Sequence, residues 1–343
     1  MSEQMSDLFW PAMLAKLSAG EPLTVDEAAE SMRAIMRQDA SPVQVAALLM
    51  ALRTKGETVD EMEGFAQAAL EFASPVKADG PVIDTCGTGG DRAGTFNIST
   101  VSAIVVAGAG VVVAKHGNRA ATSKCGSADL LEALGVKIDL GAEGVERCLK
   151  EVGIGFMFAR VFHPAMAYAA GIRSELKVPT AFNFLGPLTN PARPGAQVVG
   201  VSDARMLPVI ANVFARRGTR ATVFQGLDGL DELSTVMPSV VYEVHDHQVR
   251  KHTVDPDDLE LTHARITDLH GGDVEENAAI ARRVLAGETG AKRDVVLLNA
   301  AAALQVAGVA ENLIEGIAQA AESIDGGKAE ALLADWAELS KTL

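Results

Sequence analysis

The chain has 343 residues, 48% of them hydrophobic and 22% charged, which is enough to bury the cores of two domains and excludes wholesale disorder. A formal charge of −15 repels nucleic-acid backbones and anionic lipid, so any polyanionic ligand would need a local basic site or a metal ion. Aromatic residues make up only 4%, too few for stacking platforms on single-stranded nucleic acid, and a core of Ala, Val, Leu and Ile suits packed helices and parallel strands.

Residues 1–75 read as a small helical bundle. Met5 to Leu17 is one candidate helix, and three more open on capping boxes: Thr24 with Glu27, Ser41 with Gln44, and Thr58 with Glu61. Pro42 sits at a first helical position, and Val45, Leu48, Leu49 and Leu52 follow at helical spacing. Ser74-Pro75 ends the bundle. Strand patterns are then expected at Pro81–Asp84, Val111–Ala114, Ile154–Phe158, Gln197–Val201, Thr222–Phe224 and Val240–Val244. Helices are expected at Thr100–Ala109, Ser127–Leu134, Asp203–Arg217, Glu275–Leu285 and Asp294–Val306. Alternating strands and helices predict βαβ units and a mostly parallel central sheet. The expected fold is therefore α/β: a small all-α helical domain over 1–75, joined by a helical segment near 163–190, plus a large α/β domain over 78–343.

Four motifs carry chemistry. Gly87-Thr88-Gly89-Gly90-Asp91 leaves a strand, and Thr95-Phe96-Asn97-Ile98-Ser99-Thr100 opens a helix. Glycines let amide groups approach an anion, and the helix N-terminus adds positive potential, so this reads as an anion cradle rimmed by hydroxyls. A tight turn needing several positive φ angles fits the same run. No Gly-Lys-Ser/Thr closes it as in a Walker A loop, and no acidic ribose anchor follows as in a dinucleotide fingerprint. Lys115-His116-Gly117-Asn118-Arg119 follows a second strand, and Ala120 to Ser123 with Ser127 add donors. Two neighbouring strands then empty into one crevice, where Lys and Arg would hold a phosphorylated ligand; a basic surface loop is the plainer alternative. Asp228-Gly229-Leu230-Asp231-Glu232 follows a third strand and suggests Mg²⁺, although acidic solvated turns look the same. Arg173 lies on a helix, where arginine is usually solvated.

The three cysteines, Cys86, Cys125 and Cys148, lack metal-ligand spacing and read as reduced thiols of a cytoplasmic protein. Met1 to Asp7 is polar, without a secretory hydrophobic region. The longest apolar run, Val101 to Ala114, is too short to span a bilayer.

Together, these motifs resemble the anthranilate phosphoribosyltransferase family. The glycine loop with its Thr-Phe-Asn-Ile-Ser-Thr tail, Lys115 to Arg119, Gly126 to Asp129, Phe182-Asn183 with Gly186 to Pro191, Asp228 to Ser234, Gly271 to Asp273 and Leu298 to Ala301 all carry the likeness. It covers essentially the whole chain. The resemblance implies transfer of phosphoribosyl from phosphoribosyl pyrophosphate to anthranilate in tryptophan biosynthesis, with pyrophosphate released, Mg²⁺ (two ions per site) as cofactor, and a cytoplasmic homodimer formed through the helical domain.

Carried over, Gly87, Gly90, Asp91, Thr95, Asn97, Ile98, Ser99 and Thr100 would hold phosphoribosyl pyrophosphate. So would Lys115, His116, Gly117, Asn118, Arg119, Ala120, Ala121, Thr122, Ser123 and Ser127. Gly87, Asn118 and Arg173 would contact anthranilate, Ser99, Asp231 and Glu232 would bind magnesium, and Lys115 and Arg173 would serve catalysis. The chain departs from the family pattern at Arg92 (commonly Gly), Arg160 and Phe162 (Pro and His), Lys177 and Pro179 (Gly and Arg), and Gln225 (His). Rival readings are a pyrimidine nucleoside phosphorylase-like enzyme, whose extra C-terminal domain has no room here, and a non-catalytic nucleic-acid-binding relative, which the net charge disfavours.

Overall fold

A computed structural model describes residues 3–120, 124–261 and 263–343. Helices α1 (Glu3–Ser18), α2 (Val25–Met36), α3 (Pro42–Lys55) and α4 (Val59–Glu71) come first. Strand β1 (Ile83–Gly87), helix α5 (Ile98–Gly108) and strand β2 (Val113–Gly117) follow, then α6 (Ser127–Ala133), α7 (Ala142–Glu151), β3 (Ile154–Phe158), α8 (Ala159–Phe162) and α9 (Ala167–Leu176). The rest is β4 (Ala196–Gly200), α10 (Leu207–Arg217), β5 (Arg220–Gly226), β6 (Ser239–His245), β7 (Gln248–Val254), α11 (Val274–Leu285), α12 (Ala291–Val306), α13 (Leu313–Asp325) and α14 (Lys328–Lys341). The chain forms two compact units, one of Met1–Ser74 with His163–Thr189, the other of Pro75–Phe162 with Asn190–Leu343.

In the first unit all three capping boxes form in both directions, fixing where α2, α3 and α4 begin. Glu61 does more than cap: fully buried, it also accepts the Leu23 N–H and the Lys55 ammonium, each at 3.0 Å. Gly64 lets α4 lie directly on α2, since a side chain there would run into Val25, Ala28 and Ala29. Helix α9 packs on α2 and α3, and the Tyr168 hydroxyl donates to the Ala40 carbonyl at 2.6 Å.

The second unit is built on a seven-stranded sheet in the order β3-β2-β1-β4-β5-β6-β7. The first five strands run parallel, and β6 and β7 add an antiparallel hairpin at the edge. Strand β7 escapes a hydrophobic-pattern search because its Gln-Val-Arg-Lys-His-Thr-Val sequence is polar, as suits an exposed edge. Helix α10 begins at Leu207 rather than Asp203, because the Asp203 carboxylate accepts the Arg205 N–H at 3.1 Å and holds a turn before Pro208. Helix α5 is apolar all round and sits between β1, β2 and the helices α12, α13 and α14. That enclosure fixes its N-terminus at the carboxyl edge of the parallel strands.

Candidate active site

Four of the five parallel strands end in glycine: Gly87 on β1, Gly117 on β2, Gly200 on β4 and Gly226 on β5. Gly87 and Gly200 are register partners. A Cβ on either would collide with Asp231, and one on Gly226 would collide with Asp228 and Ser234. These three strand ends are glycine because the acidic turn after β5 folds back over them. Within that turn Asp228 is structural, accepting the Ser234 hydroxyl at 2.6 Å and the Leu230 N–H at 3.2 Å. Asn299, buried on α12, grips Leu233 through both its N–H and its carbonyl, each at 2.9 Å, and so fixes the residue after Glu232.

The glycine loop meets this turn. Gly89, Gly90 and Gly94 have φ of 69°, 89° and 69°, and Arg92, at 61°, shares the left-handed region. The bend thus demands what glycine supplies, and Arg92 adopts it under strain. Gly89 donates its N–H to Asp231 Oδ2 at 2.6 Å, and Ser99 donates its N–H to Glu232 Oε1 at 3.0 Å. On its far side the loop is tied to another turn, with Phe96 N–H on the Leu269 carbonyl and Gly271 N–H on the Gly94 carbonyl. Asn277 completes that side: it accepts the Gly272 N–H at 2.8 Å and donates to Asn97 Oδ1 at 3.2 Å, while Asn97 donates to the Cys125 carbonyl at 3.0 Å.

Two expectations about the cradle are corrected. Thr100 and Ile98 have their side chains in the core, so no Thr100 hydroxyl lines the rim. The N–H groups opening α5 are also committed inside the protein: Ile98 to Phe96 O, Ser99 to Glu232, and Thr100 and Val101 to Asn97 O. The anion at this helix terminus is the protein's own Glu232. What faces outward is the exposed backbone of Gly89 and Gly90, with Asp91, Thr95, Asn97 and Ser99 half-buried beside it.

Both cations of the second motif are paired within the protein, Lys115 buried and Arg119 half-buried. Lys115 is 1% exposed and donates its ammonium to the Thr85 carbonyl at 2.6 Å. Burial pulls its pKa down, and Asp84, Cys86 and Glu232 pull it back up. Asp84, also fully buried, accepts the His116 N–H at 3.2 Å and the Asn190 amide at 2.8 Å. Burial raises the Asp84 carboxyl, with Lys115 opposing. Arg119 bonds Asp129 at 2.6 Å and Glu132 at 2.9 Å, and lies over the Phe158 ring. Asp129 also accepts the Ala120 and Gly126 N–H groups, so this loop is organised about one carboxylate. Asn118 is exposed, and its Oδ1 accepts the Arg119 N–H at 2.8 Å. Gly117 abuts the Phe156 ring and the Ser127 hydroxyl. Ala121, Thr122 and Ser123 lie outside the described residues.

Asp231 is pushed up to about 7, first by burial and then by the charge of Asp91. Glu232 is raised well above the usual carboxylate range by burial and by Asp231, with Lys115 opposing. Two buried carboxylates that resist ionisation together are a site short of positive charge. Among the described residues no three His, Cys, Asp or Glu side chains close around one ion. That donor set fits Mg²⁺, which takes one or two carboxylates and completes its shell with water and phosphate oxygens.

On the first unit, Arg173 of α9 holds its guanidinium 5.6 Å from the centre of the Phe182 ring, and burial lowers its pKa. His163 is buried with its Nε2 2.9 Å from the Thr189 carbonyl. Asp84, Asn190, Asn277, Asn299 and Asp129 were not among the expected site residues. Asp84, Asn190, Asn277 and Asn299 each reach a partner far along the chain, while Asp129 gathers Arg119, Ala120 and Gly126 close by, and no spacing in the sequence reveals these pairings.

Residues 11–73 match the glycosyl transferase family, helical bundle domain, and residues 79–330 the glycosyl transferase family, a/b domain. The anthranilate phosphoribosyltransferase of Rhodococcus jostii (strain RHA1) is 51% identical over 340 residues, covering 97% of this chain and 94% of that protein. The crystal structure of anthranilate phosphoribosyltransferase from Thermus thermophilus superposes with a TM-score of 0.91 at 45% identity, covering 96% of this chain and 99% of the other. The anthranilate phosphoribosyltransferase of Saccharomyces cerevisiae in complex with PRPP and Mg superposes with a TM-score of 0.90 at 27% identity, covering 100% of this chain and 99% of that one.

Proposed function

We infer that this chain, which belongs to the anthranilate phosphoribosyltransferase family, transfers a phosphoribosyl group from phosphoribosyl pyrophosphate to the amine of anthranilate and releases pyrophosphate. The observation that carries this reading is the double clamp of the acidic turn on the glycine loop, Gly89 to Asp231 and Ser99 to Glu232. It brings a diphosphate-sized amide cradle and a pair of metal-ready carboxylates to one point.

The diphosphate would rest on the backbone of Gly90 and Asp91, with Thr95, Asn97, Ser99 and the Lys115–Ser127 loop around it. Mg²⁺, two ions in this reading, would be held by Asp231, Glu232 and Ser99 and would neutralise charge on the departing diphosphate. Lys115 supplies fixed positive charge beneath the site, offsetting Asp84 and Glu232. As the C1–oxygen bond breaks, its electron pair leaves with pyrophosphate, and the amine nitrogen forms the new bond to C1. Holding the arylamine behind C1 supplies proximity, and the amine loses its proton late, so no strong general base is required. Arg173 would pair with the anthranilate carboxylate, and Gly87 and Asn118 would contact the same substrate.

The reading extends to a cytoplasmic homodimer. Three free cysteines suit a reducing compartment. Val43 (78% exposed) and Met50 (36% exposed) lie two turns apart on α3 and offer the helical unit an apolar stripe for a second copy. The test of the activity is loss of anthranilate fluorescence on mixing with phosphoribosyl pyrophosphate and Mg²⁺. Loss that needs both additions supports it, and constant fluorescence at high enzyme concentration rejects it.

A further inference from the structure

Gly89 is the point where the glycine loop touches the acidic turn, yet it is exposed, has no side chain and sits at φ 69°. A glycine in that setting loses more conformational freedom on ordering than any other residue. Something must hold it, and the Asp231 bond grips only its N–H.

The other grip comes from the second residue after β4. The Ser202 hydroxyl donates to the Gly89 carbonyl at 2.7 Å. The Ser202 N–H donates to Thr88 Oγ1 at 3.0 Å, and the two hydroxyls lie 3.2 Å apart. Thr88 N–H in turn donates to the Gly200 carbonyl at 2.9 Å. Ser202 is itself anchored: the Gln225 amide nitrogen on β5 donates to its carbonyl at 2.8 Å. This contact ties β5 through Ser202 to the loop leaving β1.

We propose that Ser202, held by Gln225, is a positioning residue for the diphosphate cradle, fixing the Gly89–Gly90 peptide so that the neighbouring amides are set before the sugar donor arrives. The proposal rests on the reading of the cradle as the phosphoribosyl pyrophosphate site. Ser202 touches neither the expected metal nor the expected arylamine, so its effect belongs to one substrate only.

The test compares wild type with Ser202→Ala, Ser202→Thr and Gln225→Leu in steady-state kinetics and in amide hydrogen exchange of the peptide spanning Thr88 to Arg92. Loss of one hydrogen bond should raise the KM for phosphoribosyl pyrophosphate about fivefold to tenfold in Ser202→Ala, with the anthranilate KM held within about twofold. Exchange in the loop peptide should quicken by about the same factor while the α5 and α12 peptides stay unchanged. Ser202→Thr should restore both readouts, and Gln225→Leu should give the same pattern at smaller amplitude. Wild-type exchange in Ser202→Ala overturns the pin whatever the turnover. Equal movement of both KM values, or an unmoved donor KM in an active protein, overturns the positioning role. A wild type with no turnover, beside faster loop exchange in Ser202→Ala, removes the functional reading and with it the role assigned to the pin.

Discussion

The main-chain N–H of Gly89 bonds the Oδ2 of Asp231 at 2.6 Å, joining two loops 142 residues apart in sequence. The same carboxylate is buried and faces Asp91, which together push its pKa up to about 7. A side chain that is costly to ionise, placed where a glycine loop converges with a second buried acid, is built for a cation rather than for the stability of the apo fold.

Asp231→Asn should therefore have opposite effects on stability and activity. Its ordinary pKa is 3.8, so between about pH 4 and 7 the folded protein binds more protons than the unfolded chain, and stability contributed by this group falls as pH rises. At pH 8 without magnesium, the neutral amide should stabilise the chain by roughly 1–3 kcal/mol. Turnover should fall by about 100-fold or more, since the amide cannot replace a carboxylate at the metal. Denaturant unfolding in a chelator, with the fluorescence assay, checks both. Lower stability in the chelated variant would contradict the charge argument.

The glycines at the strand ends make a steric prediction. A Cβ at Gly200 would overlap the Asp231 backbone, whereas one at Gly195 meets nothing within 4 Å. Gly200→Ala should cost about 3 kcal/mol of stability, and Gly195→Ala should stay within about 0.5 kcal/mol of wild type. Thermal unfolding followed by circular dichroism separates them, and equal melting temperatures would show that the turn can move aside.

His163 predicts an acid-sensitive step in the helical unit. Burial lowers its pKa from 6.5 to about 4, so the unfolded chain binds the extra proton first, and the stability this group contributes is lost as pH falls from about 6.5 towards 4. His163→Gln should be less stable than wild type at pH 7.5 by about 1 kcal/mol, with the gap narrowing or reversing at pH 4.5. Urea titrations at the two pH values check this, and a gap that stays constant would mean the imidazole is protonated alike in both states.

Arg173→Ala should raise the KM for anthranilate by about tenfold and that for phosphoribosyl pyrophosphate by less, as expected for loss of one charge-assisted pair to the arylamine carboxylate. Arg173→Lys should recover only part of it, because an ammonium cannot reproduce the planar fork. Unchanged anthranilate kinetics would remove Arg173 from the site.

Periodic signals in the chain carry much of this architecture. The three capping boxes set helix starts, and the apolar runs mark β1 to β6, because local bonding and burial leave a repeating pattern. Strand β7 is hidden by the polar composition of an edge. The glycine loop is legible as a bend, and Arg92 at φ 61° shows how strictly that bend sets its backbone. What cannot be read is the inward turn of the charges. Lys115 on the Thr85 carbonyl and Glu232 on the α5 terminus are long-range choices between partners. So are the amide grips of Asn299 and Asn277 and the Ser202 contact with Gly89, each joining segments far apart in sequence.

The most direct test of the convergence at Gly89 and Asp231 is a crystal grown with phosphoribosyl pyrophosphate and Mn²⁺, with manganese located by anomalous scattering. Manganese bound by Asp231 and Glu232, together with a diphosphate on the Gly89–Asp91 backbone, is the expected result. Sugar donor seated elsewhere on the protein, or manganese remote from both carboxylates, would contradict it.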